Sequence, residues 1–319
     1  MQNIVFLEAG TLGSDMDFSP FEKLGRVTRY EKSTAAETPG RVADADIVIV
    51  NKINMNAKTL AGADHLKMIA ITATGYNMID LDYTRKKGIA VANVAGYSTD
   101  AVAQHTFALL FYVMHKLAYY DAYVKEGNYC HCDTFTHIEE RFHELAGKNW
   151  GIIGMGAIGH KVARIAEAFG CNVIYHSMSG CLREEPYEHV ELDTLFAESD
   201  ILSIHAPLTP ATEGLMNRDA FRKMKNSAIF LNLARGPIVN EADLVWALET
   251  GEIAAAGLDV LSAEPMREDN PLLAYKDSRK LIITPHVAWA PVETRARLLE
   301  EVYRNIEAFL KGEERNRIH

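Results

Sequence analysis

The sequence predicts an α/β fold of two domains, each a parallel sheet with helices on its faces. Three observations predict it. The chain has 319 residues, too many for one typical domain and well suited to two. Apolar runs of strand length alternate with helical stretches along the whole chain. Several runs, such as Ala228-Ile229-Phe230-Leu231 and Leu281-Ile282-Ile283, are apolar at every position, the pattern of strands buried on both faces.

Residues 4–8, 46–51, 66–72 and 89–94 supply strands in the first part of the chain. Residues 149–153, 172–176, 201–205, 228–233, 254–260 and 281–284 supply them in the second. Strands spaced in this way by helices build βαβ units. Two helical segments read as connectors. The first, 99–125, follows Gly96-Tyr97-Ser98 and takes Ser98 or Thr99 as its N-cap. Its middle, 107–114, is apolar nearly all round, which predicts cover on more than one side, from the neighbouring domain, a second subunit or both. The second, 292–311, follows Pro291, mixes acidic and basic residues on its outer face and stops at Gly312. Residues 128–143 are irregular and rich in aromatic and histidine residues, a surface-to-cleft loop.

Composition excludes several classes. Net charge is −10, and the basic residues are spread rather than clustered, which argues against nucleic acid or an anionic membrane as partner. No secretory leader is visible, and the longest apolar run, 106–114, is far short of a membrane span. Four cysteines (Cys130, Cys132, Cys171, Cys181) are few, consistent with free thiols in a cytoplasmic protein.

The strongest local motif is Gly154-Met155-Gly156-Ala157-Ile158-Gly159, which follows one strand, opens a helix and precedes another strand. That context is what a dinucleotide fingerprint requires. Gly154 permits the tight turn, Gly156 lets the backbone approach a pyrophosphate, and Gly159 lets helix and strand pack closely. Backbone N–H groups of Ala157 and Ile158 face the phosphates, aided by the helix dipole. The acidic residue that such folds place on the adenosine ribose is absent from the next strand end, where Tyr175-His176-Ser177-Met178-Ser179 stands. Ser177 and Ser179 suit a ribose hydroxyl or a 2′-phosphate alike. Arg183 favours phosphate, whereas Glu184 and Glu185 disfavour it, so NAD(H) and NADP(H) both stay open.

In an open parallel sheet, ligands sit outside the carboxyl ends of the strands. Here the strand ends deliver, in order, Ser177, His205-Ala206-Pro207, Arg235-Gly236, Asp259 and His286. One or two polar residues there are ordinary; five in succession form a site. Arg235 offers a planar fork for a carboxylate. His286 is a proton carrier, and Glu264, in Ser262-Ala263-Glu264-Pro265, is placed to bond the imidazole and favour its charged form. A carboxylate clamp, a nicotinamide pocket and a proton donor are what hydride transfer to a C2 carbonyl needs.

Taken together, these residues resemble the D-isomer-specific 2-hydroxyacid dehydrogenase family. The resemblance runs from Thr72-Ala73-Thr74-Gly75-Tyr76-Asn77 through the glycine motif, His205-Ala206-Pro207-Leu208-Thr209, Asn232-Leu233-Ala234-Arg235-Gly236 and Gly257-Leu258-Asp259-Val260 to Thr284-Pro285-His286. It implies two Rossmann-like or flavodoxin-like domains, with the nucleotide domain (99–289) inserted into a substrate domain (1–98 plus 290–319) and joined to it by two crossover helices. It implies Arg235, Glu264 and His286 as the catalytic set. It puts Asp259 on the nicotinamide carboxamide, and Thr106, Thr212, Leu233, Ala234 and Ala288 at the cofactor. Thr74, Gly75 and Trp289 fall to the substrate, Trp289 limiting its size. It further implies a homodimer through the nucleotide domain. Residues 72–80 and Gly96-Tyr97-Ser98-Thr99 look most like glycerate dehydrogenase or hydroxypyruvate reductase members, acting on a small anionic 2-keto or 2-hydroxy acid.

Competing readings exist. Cys130-His131-Cys132 with His137 and His143 invites zinc, but matches no standard spacing, and no metal is expected. A nucleotide-sensing, corepressor-like protein on the same fold is a second reading. A phosphite or formate dehydrogenase is a third, though formate enzymes carry glutamine where Glu264 stands.

Overall fold

The computed structural model describes residues 1–180 and 185–318. The chain divides into two compact units, 1–98 with 289–319, and 99–288. It passes from one to the other at Ser98–Thr99 and at Ala288–Trp289, so Trp289 falls in the first unit.

The first unit begins with β1 (Gln2–Phe6), β2 (Gly25–Arg29), α1 (Thr38–Val42), β3 (Ile47–Val50), β4 (Met68–Ile71), α2 (Leu81–Lys87) and β5 (Ala90–Ala92). The strands form one parallel sheet in the order β2-β1-β3-β4-β5, the doubly wound flavodoxin-like order. β2 escapes the sequence reading because Gly25-Arg26-Val27-Thr28-Arg29 holds a single apolar residue. It is an edge strand, paired on one side only.

The second unit opens with α3 (Thr99–Met114) and α4 (Leu117–Lys125), followed by β6 (Asn149–Ile153), α5 (Ala157–Ala168), β7 (Asn172–His176), β8 (Glu188–His189), α6 (Leu192–Glu198) and β9 (Ile201–Ile204). It continues with α7 (Arg218–Lys223), β10 (Ile229–Asn232), α8 (Glu241–Thr250), β11 (Ala255–Leu258), α9 (Pro271–Ala274) and β12 (Leu281–Ile283). All pairings are parallel, in the order β12-β11-β10-β9-β6-β7-β8. Strand order reverses between β6 and β9, the topological switch point at which such sheets bind ligands. The chain then returns to the first unit with α10 (Val292–Leu310).

Both sheets are covered on two faces. In the second unit, neighbouring strand residues point opposite ways: Ile152 and Leu231 join the α3 and α5 side, Ile153 and Phe230 the α6, α7 and α8 side. In the first, Leu298, Val302 and Ile306 of α10 pack on Ile4, Phe6 and Ile47, while Val5 and Val48 face Val42 of α1.

The predicted connector 99–125 is two helices rather than one. Lys116 takes a left-handed conformation (φ 54°) between them, with its Nζ donating to the Arg279 carbonyl at 3.0 Å. Much of the apolar stretch 107–114 is covered from within its own unit: Phe107 packs on Trp150 at 4.8 Å, and Leu109, Leu110 and Val113 lie in its core, while Phe111 and Tyr112 are half-buried. The most exposed large apolar side chains of this unit are Phe135 (91% exposed) and Ile138 (76% exposed). Cys130, Cys132 and Cys171 are free thiols, while Cys181, Arg183 and Glu184 lie outside the described residues. Among the described residues no helix is long and apolar enough to cross a membrane, and no three potential metal ligands come together. His137 is spent on tyrosines, stacked on Tyr123 at 3.8 Å and bonded to the Tyr119 hydroxyl at 2.7 Å.

Leu110→Ala is expected to destabilise the second unit by about 2–5 kcal/mol, the range for a fully buried leucine. Urea unfolding measures it; a loss below about 1 kcal/mol would mean that α3 is not a core helix.

Candidate active site

The glycine loop runs from β6 into α5, and its three glycines do different work. Gly154 (φ +94°) turns the chain, and a Cβ there would lie 2.8 Å from the Ala206 backbone. A Cβ at Gly159 would lie 2.3 Å from the Gly154 carbonyl oxygen, so helix and strand pack only without it. A Cβ at Gly156 would meet no atom within 4 Å. The first two glycines serve the protein's own packing; the third keeps a space open.

That space belongs to a cavity of about 290 Å³ lined by Gly154, Met155, Gly156, Ser177, Ser179, His205, Ala206, Pro207 and Thr212, among others. His205 is half-buried, and desolvation lowers its pKa to about 3, so the ring is neutral. Trp150 Nε1 donates to Ser203 Oγ at 2.9 Å, and Ser203 Oγ lies 3.1 Å from His205 Nε2. Nδ1 of His205 is buried with no hydrogen-bond partner. Buried polar atoms are almost always satisfied, so an orphan on a residue that lines a cavity leaves a bond for a ligand atom to make. Thr212 holds the loop, its hydroxyl donating to the Pro207 carbonyl at 2.8 Å. An unfilled glycine cradle beside an unpaired polar atom fits a dinucleotide.

The catalytic candidates sit on the loops after β10, β11 and β12. After β10, Asn232 braces the turn: its Nδ2 donates to the Arg235 carbonyl and its Oδ1 accepts from Ala234 N, each at 3.0 Å. Arg235 is half-buried, donates to the Ala234 carbonyl at 2.7 Å and has no carboxylate partner among the described residues. Gly236 beside it touches the next loop so closely that a Cβ would lie 1.9 Å from the Leu261 backbone. Leu261 N in turn donates to Glu264 Oε1 at 3.0 Å, and Glu264 Oε2 accepts from His286 Nδ1 at 2.7 Å. The Arg235 loop, the carboxylate and the imidazole are thus joined by one unbroken set of contacts. The carboxylate fixes the proton on Nδ1 and leaves Nε2 as the atom that exchanges protons.

His286 itself adopts a left-handed backbone (φ 54°), a rare conformation for a residue other than glycine. Asp259, 1% exposed, holds it there. Oδ1 accepts from the Thr284 hydroxyl at 2.6 Å and from Val287 N at 2.9 Å, and Oδ2 accepts from Ala288 N at 2.9 Å. His105 of α3 completes the group, its Nε2 2.9 Å from Thr284 Oγ1. Sequence reasoning missed His105 and the anchoring part of Asp259, because a lone histidine on an apolar helix carries no signal by itself. Thr106 is fully buried, and its hydroxyl donates to the Val102 carbonyl at 2.8 Å. Leu233, Ala234 and Ala288 are buried in the core beneath the loops. In the first unit, Thr74 Oγ1 donates to the Val94 carbonyl at 2.9 Å and Trp289 packs against that unit's core.

Residues 107–288 match the family model for the NAD-binding domain of D-isomer specific 2-hydroxyacid dehydrogenases. The chain belongs to that family. Its second unit is therefore a NAD-binding domain, and the protein is an NAD(P)-dependent dehydrogenase of 2-hydroxy acids. It is 40% identical over 315 residues to a hydroxypyruvate reductase of Blautia hydrogenotrophica, covering 97% of each chain. The D-lactate dehydrogenase of Aquifex aeolicus, solved with NAD and lactic acid, superposes with a TM-score of 0.84 at 28% identity over 97% of this chain and 96% of that one. An NADPH-dependent glyoxylate/hydroxypyruvate reductase of Sinorhizobium meliloti, solved with citrate, superposes with a TM-score of 0.85 at 26% identity over 100% and 98%.

The glycines give a split expectation. Gly156→Val folds with near-normal stability but loses dinucleotide binding, whereas Gly159→Val loses stability itself. Thermal melting and calorimetric titration with NADH separate the two; a Gly156→Val protein that still binds NADH normally would contradict the cradle.

Proposed function

We propose that this protein reduces a small 2-keto acid, hydroxypyruvate or glyoxylate, to the D-2-hydroxy acid. The observation that carries the reading is the His286–Glu264 pair at 2.7 Å, tied through Leu261 and Gly236 to an arginine with no carboxylate partner among the described residues. Arg235 clamps the substrate carboxylate with its guanidinium fork. A bound nicotinamide supplies the hydride to C2. His286 Nε2 gives its proton to the carbonyl oxygen as C=O becomes CH–OH, and Glu264 stabilises the ring before that transfer and keeps it oriented after. In the oxidative direction the same nitrogen takes the hydroxyl proton.

Asp259 has a place at the nicotinamide carboxamide in this reading, beyond its role as loop anchor. Thr74, Gly75 and Trp289 have theirs at the substrate. The choice of hydroxypyruvate or glyoxylate follows the relatives, whose names carry those substrates. We further read the protein as a cytoplasmic homodimer formed through its second unit. The exposed apolar side chains Phe135, Ile138 and Phe142, all in the second unit, support that.

Initial rates with reduced cofactor test the reading. His286→Ala is expected to lose about 10²–10⁴-fold in kcat, the usual worth of a positioned acid, while NADH still binds. Arg235→Ala loses kcat/KM by about two orders of magnitude or more, the loss of a charged, two-point clamp, and Arg235→Lys recovers only part. Turnover of no 2-keto acid, with NADH binding intact, would instead support a nucleotide sensor.

A further inference from the structure

The cofactor cavity has an acidic wall that the glycine motif does not supply. Where dinucleotide folds place an acid for the adenosine ribose, at the end of β7, this chain has Ser177. Glu185 lines the same cavity, together with Gly156, Ser177 and Ser179. Its side chain is only 5% exposed. Oε2 lies 2.5 Å from His160 Nε2, and His160 Nδ1 lies 2.9 Å from the Gly156 carbonyl oxygen. His160 thereby ties the acid to the residue that caps α5 and forms the open cradle. Among the described residues, Oε1 of Glu185 accepts no hydrogen bond.

A carboxylate this buried needs a charged or hydrogen-bonding partner, and His160 meets half of that need. The two hydroxyls of a ribose are donors and meet the rest. A 2′-phosphate would instead bring negative charge against a desolvated carboxylate. Its usual counterweight is lysine or arginine. Among the described residues that line the cavity there is neither.

We propose that Glu185, held by His160, accepts the adenosine ribose hydroxyls and selects NAD(H) over NADP(H). It replaces, from the far side of the loop, the acid that β7 lacks. The proposal rests on the cofactor reading of this cavity and adds the choice of dinucleotide to it.

Calorimetric titration of the whole protein with NADH and NADPH tests it, with AMP and adenosine 2′,5′-bisphosphate as probes of the adenosine end. The wild-type chain is expected to bind NADH at least about tenfold more tightly than NADPH, the worth of one charge-assisted hydrogen bond. Glu185→Gln weakens NADH by about tenfold and closes the gap to NADPH, and the AMP pair follows the same pattern. Glu185→Asp, which keeps the charge, retains a preference for NADH. Wild-type preference for NADPH would overturn the proposal and leave the cofactor site standing. So would an unchanged NADH-to-NADPH ratio in a Glu185→Gln chain that melts like the wild type, since that is the behaviour of a merely structural carboxylate. Binding of neither dinucleotide would overturn the cofactor site as well.

Discussion

Asp259 is a carboxylate taken almost wholly out of water, and such a group is tolerated only when hydrogen bonds replace the water it has lost. Its four neighbours are two backbone amides, one hydroxyl and, more distantly, one imidazole. Three of them belong to the short stretch after β12. The cost of burial is therefore met by a loop that has to adopt one shape, and that shape puts His286 in a conformation it would otherwise avoid. The His286 imidazole is aimed by a charge that it does not touch. The Glu264 bond then fixes the rotation of the ring about an axis already set.

The parallel sheet does the remaining assembly. Because every strand of the second unit runs the same way, the loops after β6, β7, β9, β10, β11 and β12 all emerge on one edge. Residues distant in sequence meet there without special arrangement, and small side chains decide how closely. Gly236 against Leu261 brings two loops together, and Gly156 leaves a gap between backbone and ligand space. The same edge therefore carries a crowded half, where loops brace one another, and an open half over the switch point.

Much of this was legible in the sequence, and what was not has physical reasons. The glycine motif is a local signal whose meaning depends only on the strand before it and the helix after it. The polar strand ends stood out because they interrupt apolar runs. The edge strand β2 did not, since most of its side chains face solvent and leave no apolar pattern to read. The break at Lys116 was invisible because the residue its side chain meets there, Arg279, lies far along the chain. The anchoring part of Asp259 was hidden for the same reason, and a role inferred from resemblance stood in its place. Glu185 was noted only as one acid in a pair, and its meaning came from the cavity it enters.

The chain of contacts behind His205 has an optical consequence. Trp150 is wholly buried and its indole N–H is bonded to Ser203, which in turn meets the ring of His205. A dinucleotide seated against His205 is expected to shift charge along that relay and so to alter the electric field across the indole. The other two tryptophans stand elsewhere, Trp246 under Arg218 and Arg222 on the helical face and Trp289 in the first unit. One chromophore of the three is thus wired to the dinucleotide pocket. The emission of this protein carries an unlabelled gauge of how full that pocket is.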